Sequence, residues 1–311
     1  MAVSKTPTIA VFTKNYTNPA YHAARLGAER TAARLGGRVA HYVPRQPDSL
    51  DEQVALVGQA IADRPDAMVF APVHATAMND SVRRINAAGI PLVNFINRLA
   101  MGGYVTYVGS DDVRLARAIA LRLLDHLGGR GDIVVLEGVP GAVSSLDRLR
   151  GFREAVRAVP AARIVTSRPA DYQRDTARRV TRELLASIPR IDGILSANDV
   201  MSLGAIDALE EAGRRIPIIG VNALPEAVTE LKSGRLLATV DFDAMKLSCI
   251  ATEAAIRHLR GQPVPPDIEL PVSIVDAANC APWDRPLGER ECPRWEDVVQ
   301  MQPPMNTGRM L

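Results

Sequence analysis

Short apolar runs of strand length alternate with longer stretches of helical spacing, and the whole rhythm occurs twice. The first pass reads as strands at 8–12 (TIAVF), 38–43, 67–73, 90–96 and 104–110. Helices fit between them at 21–35, from a cap at Asp48 or Ser49 to about 63, and at 77–88. The second pass places strands at 132–138, 162–168, 193–197, 216–222, 236–242 and 268–275. Its helices fall at 113–127, 145–158, 174–187, 201–212, 225–233 and 245–259. Glycines at 36–37, 89, 128–129 and 261 stop helices, as left-handed end positions require. Strands separated by helices of this length build parallel βαβ units with right-handed crossovers. The fold class is therefore α/β: two successive open, doubly wound lobes of about four or five parallel strands, joined near Ser110–Val113. After Pro282 no period persists, and residues 283–311 read as a tail, partly disordered or docked by its tryptophans.

Composition removes several classes of function. Hydrophobic residues make up 47% of the 311, enough for a sizeable core. A net charge of +2 gives no footprint for nucleic acid. No apolar run reaches the roughly 18 residues of a membrane span. The five histidines have no ligand spacing, and no metal or other cofactor is expected. Of the three cysteines, Cys249 falls in a helical pattern as a buried thiol, while Cys280 and Cys292 either pair in an oxidising compartment or stay free. The opening "MAVSKTPTIAVF" does not read as a signal peptide, which leaves a leader already removed or a cytoplasmic protein.

In open α/β sheets, ligands bind beyond the carboxyl ends of the strands, and in two-lobed proteins between the lobes. The strand ends here are rich in one chemistry. Lys14, Asn15, Tyr16, Asn18 and Tyr21 follow the first strand, Asn97-Arg98 the fourth, and Ser110-Asp111-Asp112 the fifth. Residues 139–148 and Tyr172 follow the next two, then Asn198-Asp199, Asn222 and Phe242-Asp243. Asn, Asp and Arg make paired hydrogen bonds to vicinal hydroxyls, and aromatic faces cover the C–H side of a sugar ring. Any one of these residues is explained as readily by a cap or turn. Asp111 and Asp112 are expected as the cap and first turn of the helix at 113, and Asp199 as a cap. Seven ends that carry Asn, Asp or Arg together point to a polyol site.

The motifs "TIAVFTKNYTNPAYHAARLGAERTAARLG", "IPLVNFINR", "YVGSDD", "GAVSSLDRLRGF", "PADYQRD", "SANDVMSLGAIDAL", "IIGVNALPEAV" and "GRLLATVDF" resemble, in order and spacing over 8–276, the type I periplasmic sugar-binding proteins, ribose-binding branch. The resemblance implies the periplasmic binding protein-like I fold, an interlobe ligand cleft and three hinge crossovers. It implies a first lobe of 5–110 plus 243–270 and a second of 111–242 plus 271–282, with 283–311 as the tail. It implies a monomeric binding protein that delivers a sugar or polyol to a membrane ABC permease, in the periplasm, with no catalysis. The positions that match the family's ligand residues are Lys14, Asn18, Tyr21, Asn97, Arg98, Ser110, Val139, Ser144, Arg148, Tyr172, Asn198, Asn222 and Phe242.

Departures from the branch bear on the ligand. Ala20 stands where a stacking Phe is usual, Asn97 and Asn222 replace Asp, and Lys14 replaces a small hydroxyl residue. Lys14, Arg98 and Arg148 with few anions nearby suggest a cationic site, and a sugar acid as an alternative ligand. No nucleophile elbow, phosphate loop or dinucleotide fingerprint supports an enzyme. A sugar-responsive transcription regulator needs a helix-turn-helix ahead of the first strand, which starts at Thr8. A sugar sensor feeding a signalling partner shares the same binding domain.

Overall fold

The computed structural model describes residues 6–299. In chain order the elements are β1 (Thr8–Phe12), α1 (Pro19–Arg34), β2 (Arg38–Tyr42), α2 (Leu50–Asp63), β3 (Ala67–Phe70), α3 (Asn79–Ala87), β4 (Leu92–Ile96), β5 (Thr106–Gly109) and α4 (Asp112–His126). Then follow β6 (Arg130–Glu137), α5 (Val143–Arg157), β7 (Ala161–Pro169), α6 (Arg174–Ser187), β8 (Gly193–Ser196), α7 (Asp199–Glu211), β9 (Ile218–Val221), α8 (Pro225–Lys232), β10 (Ala238–Asp241), α9 (Ala244–Leu259), β11 (Asp267–Glu269), β12 (Ser273–Val275) and α10 (Trp295–Val299).

They form two six-stranded sheets, ordered β11-β5-β4-β3-β1-β2 and β12-β10-β9-β8-β6-β7. Both halves repeat one winding, with the order reversing beside β1 in the first sheet and β6 in the second. Such a reversal leaves a crevice beyond the strand ends. Strands β3, β4, β8, β9 and β10 are buried along their whole length, which is why they read as mainly apolar runs without the alternation of a one-sided strand.

The chain passes between lobes three times: after β5, after β10, and between β11 and β12. Helix α9 follows a second-lobe strand but packs on α1 and on β3, β4 and β5 of the first lobe. The single final strand expected at 268–275 is two short strands in different sheets. Pro271, which has no N–H for a ladder, lies in the break between them. Nor are the sheets wholly parallel, since β12 runs antiparallel to β10.

Local signals set the helix starts. Pro19 occupies the first turn of α1 behind the Asn18 cap, Ser49 caps α2, and Asp111 caps α4 through the amides of Val113 and Arg114. One expected cap is corrected. Asn198, not Asp199, caps α7, accepting from Met201 N. Asp199 is fully buried instead, accepting from Leu224 N at 3.0 Å and Thr239 Oγ1 at 2.7 Å.

The segment after β12 is docked. Trp283 donates to Asp241, and Trp295 is buried beneath the Arg257 guanidinium at 4.6 Å. The cysteine pairing differs from expectation: Cys249 of α9 is bonded to Cys292, and Cys280 is the buried free thiol among the described residues. Cys280 leaves β12 on the second-lobe side, whereas Cys292 lies against α1 and α9, within reach of Gly27. The last part of the expected tail, 300–311, lies outside the described residues.

Candidate functional site

A cavity of about 190 Å³ lies between the lobes at the strand ends. That is smaller than the roughly 300–1,000 Å³ of pockets for drug-sized ligands. Ten of the thirteen positions singled out in the sequence line it: Lys14, Asn18, Tyr21 and Asn97 from the first lobe, Ser144, Arg148, Tyr172, Asn198 and Asn222 from the second, and Phe242 at the second crossover. The structure brings these together from seven separate segments of chain.

Arg98, Ser110 and Val139 do not line the cavity. Arg98 is half exposed; its guanidinium pairs with Asp267 at 2.7 Å and lies over the Tyr107 ring at 3.8 Å. Ser110 sits at the first crossover, its carbonyl facing the Tyr107 hydroxyl. The Val139 carbonyl accepts from Ala142 N in the turn before α5.

Arg98 supports the site from outside. Asn97 N bonds to Phe95 O, closing a γ-turn around Ile96, whose φ is +62°. That is the rarer, strained form of the turn, and the strain is largest for a β-branched residue. The Tyr107 hydroxyl donates to Ile96 O at 2.8 Å and holds the turn. Only glycine at 109 leaves room for it, because a Cβ there would lie 1.9 Å from the hydroxyl. The turn swings Asn97 into the cleft. Asp48, Tyr172 and Asn222 on the cavity wall also adopt positive φ. Backbone strain of this kind persists where surrounding structure fixes it, and it gathers at ligand sites.

The charges on the wall are matched. Lys14 Nζ lies 3.3 Å from Asp48 Oδ1, and Asn15 donates to the other Asp48 oxygen at 3.0 Å. Arg148 Nε donates to Asp112 at 2.7 Å and its Nη1 to Ala197 O at 2.7 Å. Burial opposes the charge on Lys14, and the Asp48 carboxylate helps to offset it, so the ammonium is held above its ordinary value. Burial likewise opposes the charge on Arg148, and the Asp112 carboxylate supports it, so the guanidinium is raised as well. Burial pushes the Tyr21 phenol up to about 12 and raises Tyr172, so both are neutral hydroxyls at pH 7. The cationic site read from the sequence is therefore corrected, because Asp48 and Asp112 each face one of its cations.

Polar capacity is left over. The Asn97 Oδ1 and Nδ2 and the Asn222 Oδ1 are buried with no hydrogen-bond partner among the described residues. Ser144 and Tyr172 share one hydroxyl–hydroxyl contact at 3.0 Å, and the Phe242 ring supplies an apolar face, with the Arg148 guanidinium 5.6 Å above it. Gly138 makes room for Tyr172, since a Cβ there would fall 2.1 Å from the ring. Sequence reasoning missed Asp48, Thr17, Ile96 and Val200, and Gln173, Arg174 and Asp175 at the exposed rim. The "PDSL" turn carried a signal for Asp48 only as a helix cap. Among the described residues no group of His, Cys, Asp or Glu is placed to hold a metal.

Comparison with known proteins bears on the family and the fold. A family model described as periplasmic binding protein domain matches residues 9–263. The ribose import binding protein RbsB of Bacillus subtilis (strain 168) is 32% identical over 267 residues, 86% of each chain. The D-allose-binding periplasmic protein of Escherichia coli (strain K12) is 30% identical over 241 residues, 74% of this chain and 78% of its own. A crystal structure of an ABC transporter periplasmic solute-binding protein from Actinobacillus succinogenes 130z with bound D-allose superposes with a TM-score of 0.84. It is 30% identical, and the match covers 88% of this chain and 99% of that one.

Proposed function

The chain belongs to the periplasmic binding protein family, and from that premise we propose that it captures one neutral monosaccharide or closely related polyol between its lobes and delivers it to an ABC permease. The observation that carries the reading is the set of three unpartnered amide atoms on Asn97 and Asn222, buried on the wall of a monosaccharide-sized cavity. A buried polar group without a partner costs about 1–3 kcal/mol, and ligand hydroxyls, able to donate and accept, would satisfy all three.

Phe242 and Tyr21 would flank the ring, while Arg148, Lys14 and the Asn198 amide would donate to its oxygens. The ligand would touch both lobes and so favour the closed arrangement by its difference in affinity for the two. In this reading the lobes are 5–110 plus 243–270 and 111–242 plus 271–282. The protein acts as a monomer outside the cytoplasmic membrane and turns nothing over. Neutral ligands are favoured over sugar acids because each buried cation already faces a carboxylate.

Thermal-shift screening followed by calorimetry tests this, with D-ribose, D-allose, xylitol and myo-inositol against aldonic and uronic acids. A ligand at a hundredfold excess over its Kd stabilises the folded state by about 2.7 kcal/mol. The expected result is such a shift with a neutral compound and a weaker one with its acid. A shift with acids alone would overturn the neutral-ligand reading.

A further inference from the structure

The docked segment 280–299 lies beyond the matched 9–263 and contacts both lobes. It leaves β12 on the second lobe, where Asp284 pairs with Lys232 of α8. It then crosses to the first lobe. Arg30 of α1 donates to the carbonyls of Gly288 and Arg290, Cys292 is bonded to Cys249 of α9, and Glu296 pairs with Arg257 at 2.7 Å. This makes a fourth link between lobes already joined by three crossovers, closed at its far end by a covalent bond.

Near its start it touches the second crossover. Trp283 Nε1 donates to Asp241 Oδ2 at 2.6 Å, while Asp241 Oδ1 accepts from Asp243 N at 2.7 Å. Asp243, at φ +51°, caps α9 through Lys246 N. Phe242, between these two aspartates, lines the ligand cavity. The Asp241 carboxylate thus organises the turn that presents Phe242, and Trp283 is its donor from outside that turn. The Trp283 carbonyl is held in turn by Arg290 at 3.0 Å.

We propose that segment 280–299 is a strap across the hinge, and that Trp283 is a positioning residue which, through Asp241, fixes the second crossover and limits how far the lobes part. The proposal draws on the binding function above only for its ligand arm. A hinge moves through a few residues at element ends, and Asp241–Asp243 is such a place. A strap stapled to α9 and bonded to Asp241 must strain or detach if that turn opens widely.

The test uses the full chain with Trp283→Phe, which keeps an aromatic ring and removes the N–H donor, and separately the Cys249→Ser/Cys292→Ser double variant, which frees the far end. In ligand-free protein both are expected to enlarge the radius of gyration in small-angle scattering and to speed hydrogen exchange at Asp243 and Lys246, the two amides this turn holds, about tenfold, as loosened local structure does. With D-allose or D-ribose bound, release is expected to quicken about tenfold, the smaller end of what a hydrogen bond to a charged group is worth. A merely structural Trp283 would lower the melting temperature and leave opening and release unchanged. Unchanged scattering and exchange in both variants overturn the strap. If no sugar binds, the functional reading fails while the ligand-free measurements still decide this one. Should Trp283→Phe not fold, the double variant carries the same two measurements.

Discussion

Lys14 and Asp48 meet at 3.3 Å on the cleft wall, brought from the loops after β1 and β2, and both are largely shielded from water. The pair makes the wall strongly polar without giving it a net charge.

Asp48→Asn is expected to leave Lys14 as a buried ammonium without its counter-charge. Breaking a buried pair from one side costs about 3–5 kcal/mol. Asn tolerates the +58° φ of this position, so the backbone is kept. Affinity for a neutral sugar should fall at least tenfold in calorimetry, while the ratio of sugar-acid to parent-sugar affinity rises. A ratio that stays put would show that Asp48 does not set the charge preference.

Arg148→Ala removes a donor held to Asp112 and to the Ala197 carbonyl and leaves Asp112 unpaired. The loss in ligand binding is expected at about 2–3 kcal/mol, that of a hydrogen bond to a charged group. Arg148→Lys should not restore it, because an ammonium cannot reproduce the planar fork. Full recovery with Lys, read by titration of the same sugar, would contradict the assigned geometry.

Asn97 is costly to the empty protein, and in the proposed role its amide would be satisfied by the ligand. Asn97→Leu, close in volume, removes two unpartnered buried atoms. The ligand-free protein should gain about 1 kcal/mol in urea unfolding, and sugar affinity should drop by about a hundredfold. A variant that loses stability along with affinity would mean that Asn97 has a structural duty instead.

Burial pushes Asp199 up to about 6 from its ordinary 3.8, against the bonds it accepts from Leu224 N and Thr239. Between those two values the folded chain binds the proton more tightly than the unfolded chain. The contribution of Asp199 to stability therefore rises as pH falls from about 6 toward 4, and ionisation above 6 costs about 3 kcal/mol. Unfolding free energies at pH 7 and 5 should differ less in Asp199→Asn than in the wild type, and equal differences would refute the assignment.

Much of the cleft is legible because its lining residues follow apolar runs directly. Once "TIAVF" and "IPLVNFI" are strands, Lys14, Asn18 and Asn97 lie at their carboxyl ends, and parallel sheets gather such ends into one region. What stayed hidden depended on groups distant in sequence. Nothing near Lys14 announces Asp48 as its partner, so the charge of the site was misjudged. Arg98 is drawn from the cleft by Asp267, a residue that reaches it only when β11 joins the first sheet. The Cys249–Cys292 bond could not be read from spacing, since three cysteines allow three pairings. The split of the last strand did leave a mark, in Pro271.

The turn at Ile96 ties the cleft-facing amide of Asn97 to the integrity of the first sheet. Asn97 faces the cleft because Tyr107, one strand over on β5, holds the Ile96 carbonyl, and it does so while β4 and β5 keep their register. If that edge frays, the strained turn relaxes and the amide swings away. In the proposed role, a damaged molecule would fail silent: it would fall empty rather than carry the wrong cargo to its destination.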